Sequence, residues 1–316
     1  MISRTLTLEK RQTTRKQPMI LDRIQNLEER VANLSAYSSP FAASSPIAPL
    51  RSIASELIDR DPSPFSFLFD TRGLKVSRED IATALKRDGA PIPAEQNCEG
   101  YGGDNDLHYW ISGYAEYLKL SAIAKKHGVE GGSLFDFGGS TGRVFRNFHY
   151  QGGWDVWSSD FKRSSVEWNL SNFPTAIKVF QGLYQPTLPM ESKSVDLVIA
   201  MSVFTHIDET ETNWLLELRR ILKPGGIALI TTHNEATWQN MPSVLRAVVE
   251  EHSPELASQS SLPSGRHVSN FRTDDPYRCN VFHSDDYIRG QWSRYFDVLD
   301  ILPKASDNQA IVVLRR

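Results

Sequence analysis

The sequence has few cysteines, no long apolar run and no excess of positive charge, and each of these absences excludes a class of protein. Cys98 and Cys279 are the only cysteines in 316 residues. They are too few and too far apart to predict a disulfide scaffold or a zinc site of the CxxC type, so no metal is expected. Two isolated thiols favour a reducing compartment, which we take to be the cytoplasm. No stretch reaches the roughly 18 apolar residues of a membrane helix, so no membrane span is expected.

The charge of the chain argues against a nucleic acid as its partner. Lysine and arginine together number 35 and aspartate and glutamate 38, which gives a formal net charge of −3. Proteins dedicated to nucleic acids usually carry a basic patch or stripe. Hydrophobic residues make up 40% of the chain, enough to bury the core of one large domain with an appendage.

The first 49 residues are predicted to lie outside the main domain. Residues 1–19 are rich in Ser, Thr, Lys and Arg and lack the apolar region of a secretory signal, which predicts a disordered basic tail, with a transit peptide as the alternative. In residues 20–34 apolar positions recur at intervals of four and three, and this predicts an amphipathic helix. Such a helix would either dock on its own domain or join two copies of the chain in a homodimer. Residues 35–49 contain Ser, Ala and Pro without charge, the composition of a linker.

The rest of the chain predicts an α/β fold. Helical patterns cover about 78–87 and 107–127, and from about residue 133 short apolar runs alternate with helical patterns, which is typical of a parallel sheet with helices on its faces. The last two runs, at 295–303 and 309–316, predict an antiparallel hairpin at or near the edge of this mostly parallel sheet. The other predicted strands are 134–137, 154–160, 177–181, 195–200 and 227–232. The predicted regions are an N-terminal extension, a helical cap and a sheet core, at residues 1–49, 50–130 and 131–316.

A glycine-rich turn and a distant acid form the most informative pattern. Residues 136–143 read DFGGSTGR and lie where the first predicted strand turns into a helix. Glycine lets the backbone approach a ligand closely, and the free N–H groups at a helix start attract an anion. Asp160 ends the next predicted strand, where a carboxylate accepts hydrogen bonds from the hydroxyls of a ribose. Together they predict an adenosine site, which fits either a dinucleotide or S-adenosylmethionine.

The spacing of the glycines favours S-adenosylmethionine. A dinucleotide fingerprint reads G-x-G-x-x-G, whereas the glycines here stand at 138, 139 and 142 and position 140 is Ser. The first strand also carries Asp136 immediately before the turn. An acid there would repel a pyrophosphate, but it suits the ammonium group of a methionine moiety.

At this point the sequence resembles class I S-adenosylmethionine-dependent methyltransferases. The matching features are residues 136–143, Asp160, the segment 188–207, which begins with LP and ends with SVDLVIAMSVFTHI, and LKPGG at 222–226. The resemblance covers about 107–316. It implies a Rossmann-like methyltransferase sheet, S-adenosylmethionine as the cofactor and a small-molecule or glycan acceptor of the kind that bacterial members use. The cofactor contacts that it implies are Asp136, Gly138, Gly139, Ser140, Thr141, Gly142, Asp160, Phe161, Gly182, Leu183, Met201 and Ser202.

One departure from the family pattern concerns the adenine. The third predicted strand is followed by Gly182, Leu183 and Tyr184, whereas many relatives have an acid there that binds the adenine amine. The resemblance therefore implies that backbone groups recognise the adenine in this chain.

Three histidines are the candidates for a general base, which helps when the acceptor is a hydroxyl or a protonated amine. His206 follows the fourth predicted strand and His233 the fifth, so both should lie near the carboxyl edge where ligands bind. His283 is predicted to lie in a loop before the last helix, where it would cover the pocket. His206 is the first choice, with a structural hydrogen-bonding role as its alternative.

The leading interpretation is methyl transfer to a small-molecule acceptor, on an oxygen of a sugar, a glycan precursor or a secondary metabolite. Two alternatives stay open at this point. One is an oxidoreductase with a nicotinamide cofactor, and the other is a non-catalytic binding module built on a methyltransferase-like domain.

Overall fold

A seven-stranded sheet forms the centre of the computed structural model, which describes residues 78–94, 97–98, 106–271 and 279–316. The predictions for residues 1–49, including the helix at 20–34, fall outside the described residues. In chain order the strands are β1 (Ser133–Phe137), β2 (Asp155–Asp160), β3 (Lys178–Gln181), β4 (Val195–Ala200), β5 (Leu222–Thr232), β6 (Arg266–Asn270), β7 (Cys279–His283), β8 (Asp297–Ser306) and β9 (Gln309–Arg315). Strands β6 and β7 form a second, two-stranded sheet.

The strand order of the large sheet is β3-β2-β1-β4-β5-β9-β8. Strands β1 to β5 are parallel to their neighbours, whereas β9 runs antiparallel to both β5 and β8. The prediction of a mostly parallel sheet with an antiparallel C-terminal hairpin is confirmed, and β8 is its edge strand. Because the chain leaves β1 toward β2 on one side and returns to β4 on the other, a crevice forms at the carboxyl ends of β1 and β4.

Strand β4 shows how an apolar run buries both faces of the sheet. Successive residues such as Val198 and Ile199 enter hydrophobic clusters on opposite faces, as expected for a central parallel strand. Asp196 interrupts the run. Its carboxylate accepts hydrogen bonds from the Ser133 backbone N–H at 2.9 Å and from Lys223 Nζ at 2.7 Å, so its charge is paired.

Helices cover the sheet, and those predicted at 78–87 and 107–127 are present as α1 and α2. None of the helices in the described ranges is long and apolar enough to cross a bilayer. In chain order the helices are α1 (Arg78–Arg87), α2 (Asp106–Lys126), α3 (Phe145–Tyr150), α4 (Arg163–Asn172), α5 (Glu211–Ile221), α6 (Glu235–Gln239), α7 (Ser243–His252), α8 (Pro254–Ala257) and α9 (Asp285–Gln291), and a 3₁₀ turn follows at Trp292–Arg294.

Strand β5 begins earlier than the sequence predicts. The pattern places a helix stop at 223–226 and the strand at 227–232, and helix α5 does end at Ile221. The strand, however, already begins at Leu222. The C-terminal residue Arg316 pairs with this early part of the strand and keeps it extended. The Gly225 N–H donates to the Arg316 carbonyl at 3.1 Å, and the Arg316 N–H donates to the Gly226 carbonyl at 3.0 Å.

The segment between β5 and β8 is an insertion that contains α6 to α9 and the β6–β7 hairpin. Strand β7 lies along the carboxyl edge of the large sheet, because the Val281 N–H donates to the Thr205 carbonyl and the His283 N–H to the His233 carbonyl, both at 2.8 Å. The prediction that His283 lies in a loop is therefore wrong. All residues of β7 are buried, and pairing with β6 on one side and contact with the sheet edge on the other keep this segment extended.

Candidate functional site

A cavity of about 390 Å³ lies at the carboxyl ends of β1 to β4. Most of the residues that the sequence assigns to the cofactor line it, and they come from four separate connections. The assigned residues in its wall are Asp136, Gly138, Gly139, Ser140, Asp160, Phe161, Gly182, Leu183, Met201 and Ser202. The wall also includes Cys98, Tyr109, Phe137, Arg143, Val144, Ser159, Lys162, Val203, His206 and Phe271, of which only His206 is among the assigned residues.

The turn after β1 has no room for side chains where it meets β2 and β4. Gly138 has a φ of +79°, and a Cβ there would stand 2.6 Å from Val203 Cγ2. A Cβ on Gly139 would stand 2.3 Å from Ser158 Oγ. The N–H groups of both glycines donate to the Ser159 carbonyl, at 2.9 and 3.1 Å. These contacts fix the turn against the end of β2, next to Asp160.

Two residues of the glycine-rich motif support the turn and do not line the cavity. The Thr141 hydroxyl donates to the Asn97 carbonyl at 2.8 Å and lies 3.0 Å from the Tyr109 hydroxyl. Gly142 has a φ of +86°, and a Cβ there would stand 2.7 Å from the ring of Phe173. Their assignment as cofactor contacts stays a prediction, while their packing ties the turn to helix α2 and to the end of helix α4.

Asp160 meets the glycine turn directly. Its Oδ2 accepts a hydrogen bond from the Ser140 backbone N–H at 2.9 Å, and its Oδ1 accepts one from the Lys162 N–H at 2.8 Å. The side chain is buried, with 7% of its surface exposed. Two backbone donors therefore hold the carboxylate in one orientation at the cavity wall.

Asp136 places a second carboxyl group at the cavity. Its pKa is raised to about 7, mainly by burial; the Arg143 guanidinium opposes this rise, and the negative charge of Asp160 adds to it. A positively charged group in the cavity would favour the ionised form of this carboxyl.

An apolar rim borders the cavity beyond Asp160. Phe161 is 47% exposed, Leu183 52% and Tyr184 45%, unusual values for large apolar side chains that stand together. The rings of Phe161 and Tyr184 lie 5.4 Å apart between centroids. A flat ring placed against this rim would bury it. The sequence did not single out Tyr184 for a role, because its contact with Phe161 depends on how β2 and β3 pair.

Met201 and Ser202 follow β4 and form the opposite part of the wall. Ser202 has a φ of +57°, a conformation that non-glycine residues adopt rarely. Its N–H donates to Thr231 Oγ1 at 2.6 Å, and its hydroxyl lies 3.0 Å from Gln309 Nε2. Strands β5 and β9 thus hold this sharp turn in place.

Of the three candidate bases, only His206 lines the cavity. Its Nδ1 lies 2.7 Å from the Cys279 carbonyl oxygen. Since a carbonyl only accepts hydrogen bonds, Nδ1 carries the proton in the neutral ring and Nε2 is left with a lone pair. Burial lowers the pKa of His206, and the Cys279 carbonyl partly offsets this effect, so the ring is neutral at pH 7.

His233 and His283 lie behind the cavity wall. The pKa of His233 is lowered to about 3, mainly by burial and in smaller part by the nearby His206 and His283. In the described part of the chain, no hydrogen-bond partner reaches His233 Nδ1. The side chain of His283 is fully buried, and its Nε2 lies 2.5 Å from Glu211 Oε2. The structure therefore brings the three histidines near one another but exposes only His206 to the cavity.

Residues 135–230, which form most of the cavity wall, match a family model described as a methyltransferase domain. No match was found among curated proteins. Among solved structures, the chain is similar to the glycopeptide N-methyltransferase MtfA complexed with S-adenosyl-L-methionine, at 13% identity over 63% of this chain and 92% of that chain, with a TM-score of 0.45.

Two archaeal proteins show a comparable similarity. The PH0226 protein from Pyrococcus horikoshii OT3 is 17% identical over 65% of this chain and 91% of that chain, with a TM-score of 0.44. A SAM-dependent methyltransferase from Methanosarcina mazei is 12% identical over 61% of this chain and 96% of that chain, with a TM-score of 0.46. Similarity at this level says nothing about the acceptor of the present chain.

Proposed function

We propose that this chain, a class I S-adenosylmethionine-dependent methyltransferase, transfers a methyl group to an oxygen of a small molecule, namely a hydroxyl of a sugar, a glycan precursor or a secondary metabolite. The nicotinamide-dependent and non-catalytic alternatives have no comparable support from the family match.

The composition of the cavity fits S-adenosylmethionine. Asp136 would pair with the ammonium of the methionine moiety, and Asp160 would accept hydrogen bonds from the ribose hydroxyls. Phe161 and Leu183 would pack against the adenine. The glycine turn stays close against β2 and β4 beside these groups, since a side chain at Gly138 or at Gly139 would collide with Val203 or Ser158.

The orientation of His206 is the observation that supports an acceptor which must lose a proton, and a hydroxyl is the acceptor of this kind that we propose. A hydroxyl must lose its proton as it gains a methyl group, so a base within reach accelerates the transfer. With Nδ1 bound to the Cys279 carbonyl, Nε2 of His206 is the nitrogen that can accept this proton.

The remaining parts of the mechanism are positioning and exclusion of water. When bound, the cofactor supplies an electrophilic methyl group on a sulfonium. Met201 and Ser202 line the cavity together with His206, and Phe271 of the insertion would offer an apolar face on which the ring of an acceptor can pack. His206 Nε2 takes the proton of the acceptor hydroxyl and releases it to solvent after the methylated product has left.

The proposal is tested by calorimetric titration followed by a methylation screen. We expect S-adenosylhomocysteine to bind and NAD⁺ to give no heat. With S-adenosylmethionine, a panel of sugars, nucleotide sugars and phenolic metabolites should yield a product that mass spectrometry identifies as an O-methyl compound. Binding of NAD⁺ alone would overturn the cofactor, and products methylated only on nitrogen or carbon would overturn the oxygen acceptor.

Substituting Asp160 by alanine should weaken the binding of S-adenosylhomocysteine by about 10- to 100-fold, because a hydrogen bond to a charged group contributes about 1.5–3 kcal/mol. Calorimetry at pH 7.5 measures this change. The matched control is Asp155→Ala at the other end of β2, since the Asp155 side chain is 47% exposed and pairs with Lys178. Equal affinities for the two variants would refute the ribose role of Asp160.

The affinity for S-adenosylmethionine should fall as the pH drops through about 7. Asp136 has a raised pKa of about 7 in the free protein, whereas a bound ammonium favours the ionised carboxyl, so binding below this pKa must release a proton. Linkage then predicts a loss that is shallow near pH 7 and approaches about tenfold per pH unit well below it. Titrations at pH 7.5, 6.5 and 5.5 measure this slope, and Asp136→Asn should bind weakly with no such dependence.

A further inference from the structure

The buried carboxylate of Glu211, at the start of helix α5, joins several elements behind the cavity wall. Its Oε1 accepts hydrogen bonds from the Tyr287 hydroxyl at 3.0 Å and from Trp292 Nε1 at 2.9 Å. Its Oε2 accepts one from Arg266 Nε at 2.9 Å and lies 2.5 Å from His283 Nε2. Only 4% of the residue is exposed, and a buried carboxylate with this many donors is an anchor that resists displacement.

Both strands of the β6–β7 hairpin are attached to this one carboxylate. Arg266 is the first residue of β6 and His283 is the last residue of β7, and the two stand opposite each other in the register. Arg266 also donates from one terminal nitrogen to Asp208 Oδ1 at 2.8 Å and to the Ile207 carbonyl at 3.2 Å. The same guanidinium thus connects the hairpin to the segment that immediately follows His206.

The other end of β7 holds the proposed base. Cys279, the first residue of the strand, accepts the hydrogen bond from His206 Nδ1 at its carbonyl. The Cys279 thiol donates in turn to the His206 carbonyl at 3.3 Å. The direction and the protonated nitrogen of the His206 ring therefore depend on where β7 lies.

We propose that Glu211 is a positioning residue for methyl transfer: through Arg266 and His283 it fixes the β6–β7 hairpin so that the Cys279 carbonyl keeps His206 Nε2 unprotonated and directed into the cavity. The proposal rests on the function proposed for His206. It assigns Glu211 no contact with the cofactor or the acceptor, since neither Glu211 nor Arg266 lines the cavity.

The experiment is Glu211→Gln, with three readouts on the folded protein. Nitrogen-15 shifts of the histidine rings, assigned with the help of His206→Gln, report which nitrogen of His206 carries the proton. We expect His206 to show a mixture of Nδ1–H and Nε2–H tautomers in place of the single Nδ1–H form. We expect kcat to fall at least tenfold, which is less than the full contribution of a general base. The Kd of S-adenosylhomocysteine should change less than about twofold, because the cofactor residues lie on other elements. An unchanged tautomer together with an unchanged kcat would overturn the proposal.

A matched control separates positioning from a general loss of stability. Glu217 lies on the same helix, and its carboxylate accepts hydrogen bonds from Arg220 and from the Leu188 N–H, away from the hairpin. Glu217→Gln should lower the thermal midpoint without changing the His206 tautomer. If both variants changed the tautomer alike, the effect would be one of stability and the proposal would be wrong.

A milder variant keeps the proposal testable if Glu211→Gln does not fold. Arg266→Lys keeps the positive charge but loses the planar guanidinium that reaches Glu211 and Asp208 together. We therefore expect the same change of the His206 tautomer, to a smaller extent. If the folded variant shows no such change, the proposal is wrong. Failure of the proposed function is a separate result. The function proposed for His206 would fail if His206→Gln kept full activity. The effect of Glu211 on the His206 tautomer is measured without an acceptor and is therefore tested independently.

Discussion

Replacing His206 by glutamine is expected to lower kcat by about 10²- to 10⁴-fold, the usual contribution of a general base. Glutamine can donate from its amide to the Cys279 carbonyl in place of Nδ1, but it cannot accept and release a proton near neutral pH. The affinity for S-adenosylhomocysteine should stay within about twofold, because the cofactor groups at Asp136 and Asp160 are untouched. The measurement is steady-state kinetics with the acceptor found in the methylation screen.

The pH profile gives this prediction a second readout. Burial lowers the pKa of His206 below its ordinary value of 6.5, so the ring should be active as a base at pH 7. With the enzyme saturated by S-adenosylmethionine, kcat should decline when the pH falls through this lowered pKa and Nε2 becomes protonated. The glutamine variant should lack this decline in its residual activity.

His267 offers a matched control for the histidine substitution. It lies on the neighbouring strand β6, and its Nε2 lies 3.1 Å from the Pro263 carbonyl, but it does not line the cavity. His267→Gln should retain kcat within about twofold. Comparable losses in both variants would assign the effect to the stability of the hairpin and would remove His206 from its proposed role.

The cofactor half of the site was accessible from the sequence because its signals are local. The glycine-rich turn is contiguous, and Asp160 lies at the end of the very next strand, so the pairing of β1 with β2 alone brings them together. The same holds for the sheet, since each buried strand is a short apolar run with its own flanking helix. Local patterns of this kind also located helices α1 and α2.

The position of His206 near the carboxyl edge was accessible from the sequence, but the contacts that orient it were not, because they join distant segments. Cys279 orients His206 across 73 positions of sequence, and His283 reaches Glu211 across 72. The hydrophobic periodicity of the sequence does not indicate which residues come into contact across such separations. The polar composition of the insertion gave no sign that β7 is a fully buried strand, which is why His283 was expected in a loop.

Replacing Asp88 by asparagine is expected to destabilise the fold by about 3–5 kcal/mol, the cost of leaving one charge of a buried pair unpaired. Asp88 follows helix α1, and both its side chain and that of Arg146 on helix α3 have no exposed surface. The guanidinium donates from Nε to one carboxylate oxygen at 2.6 Å and from a terminal nitrogen to the other at 3.0 Å. Trp110 Nε1 also donates to Asp88, at 2.8 Å, so one carboxylate joins α1, α2 and α3.

Urea unfolding followed by tryptophan fluorescence measures this loss, and the exposed pair of Lys126 and Asp300 supplies the control. The two groups of that pair lie 3.3 Å apart, with side chains 64% and 31% exposed, so Asp300→Asn should cost no more than about 1 kcal/mol. The same substitution of aspartate by asparagine thus compares the stability contribution of a buried ion pair with that of an exposed one. Similar unfolding free energies for the two variants would contradict the burial of Arg146. A large loss confined to Asp88→Asn would mean that the buried ion pair holds α3 against α1 and α2.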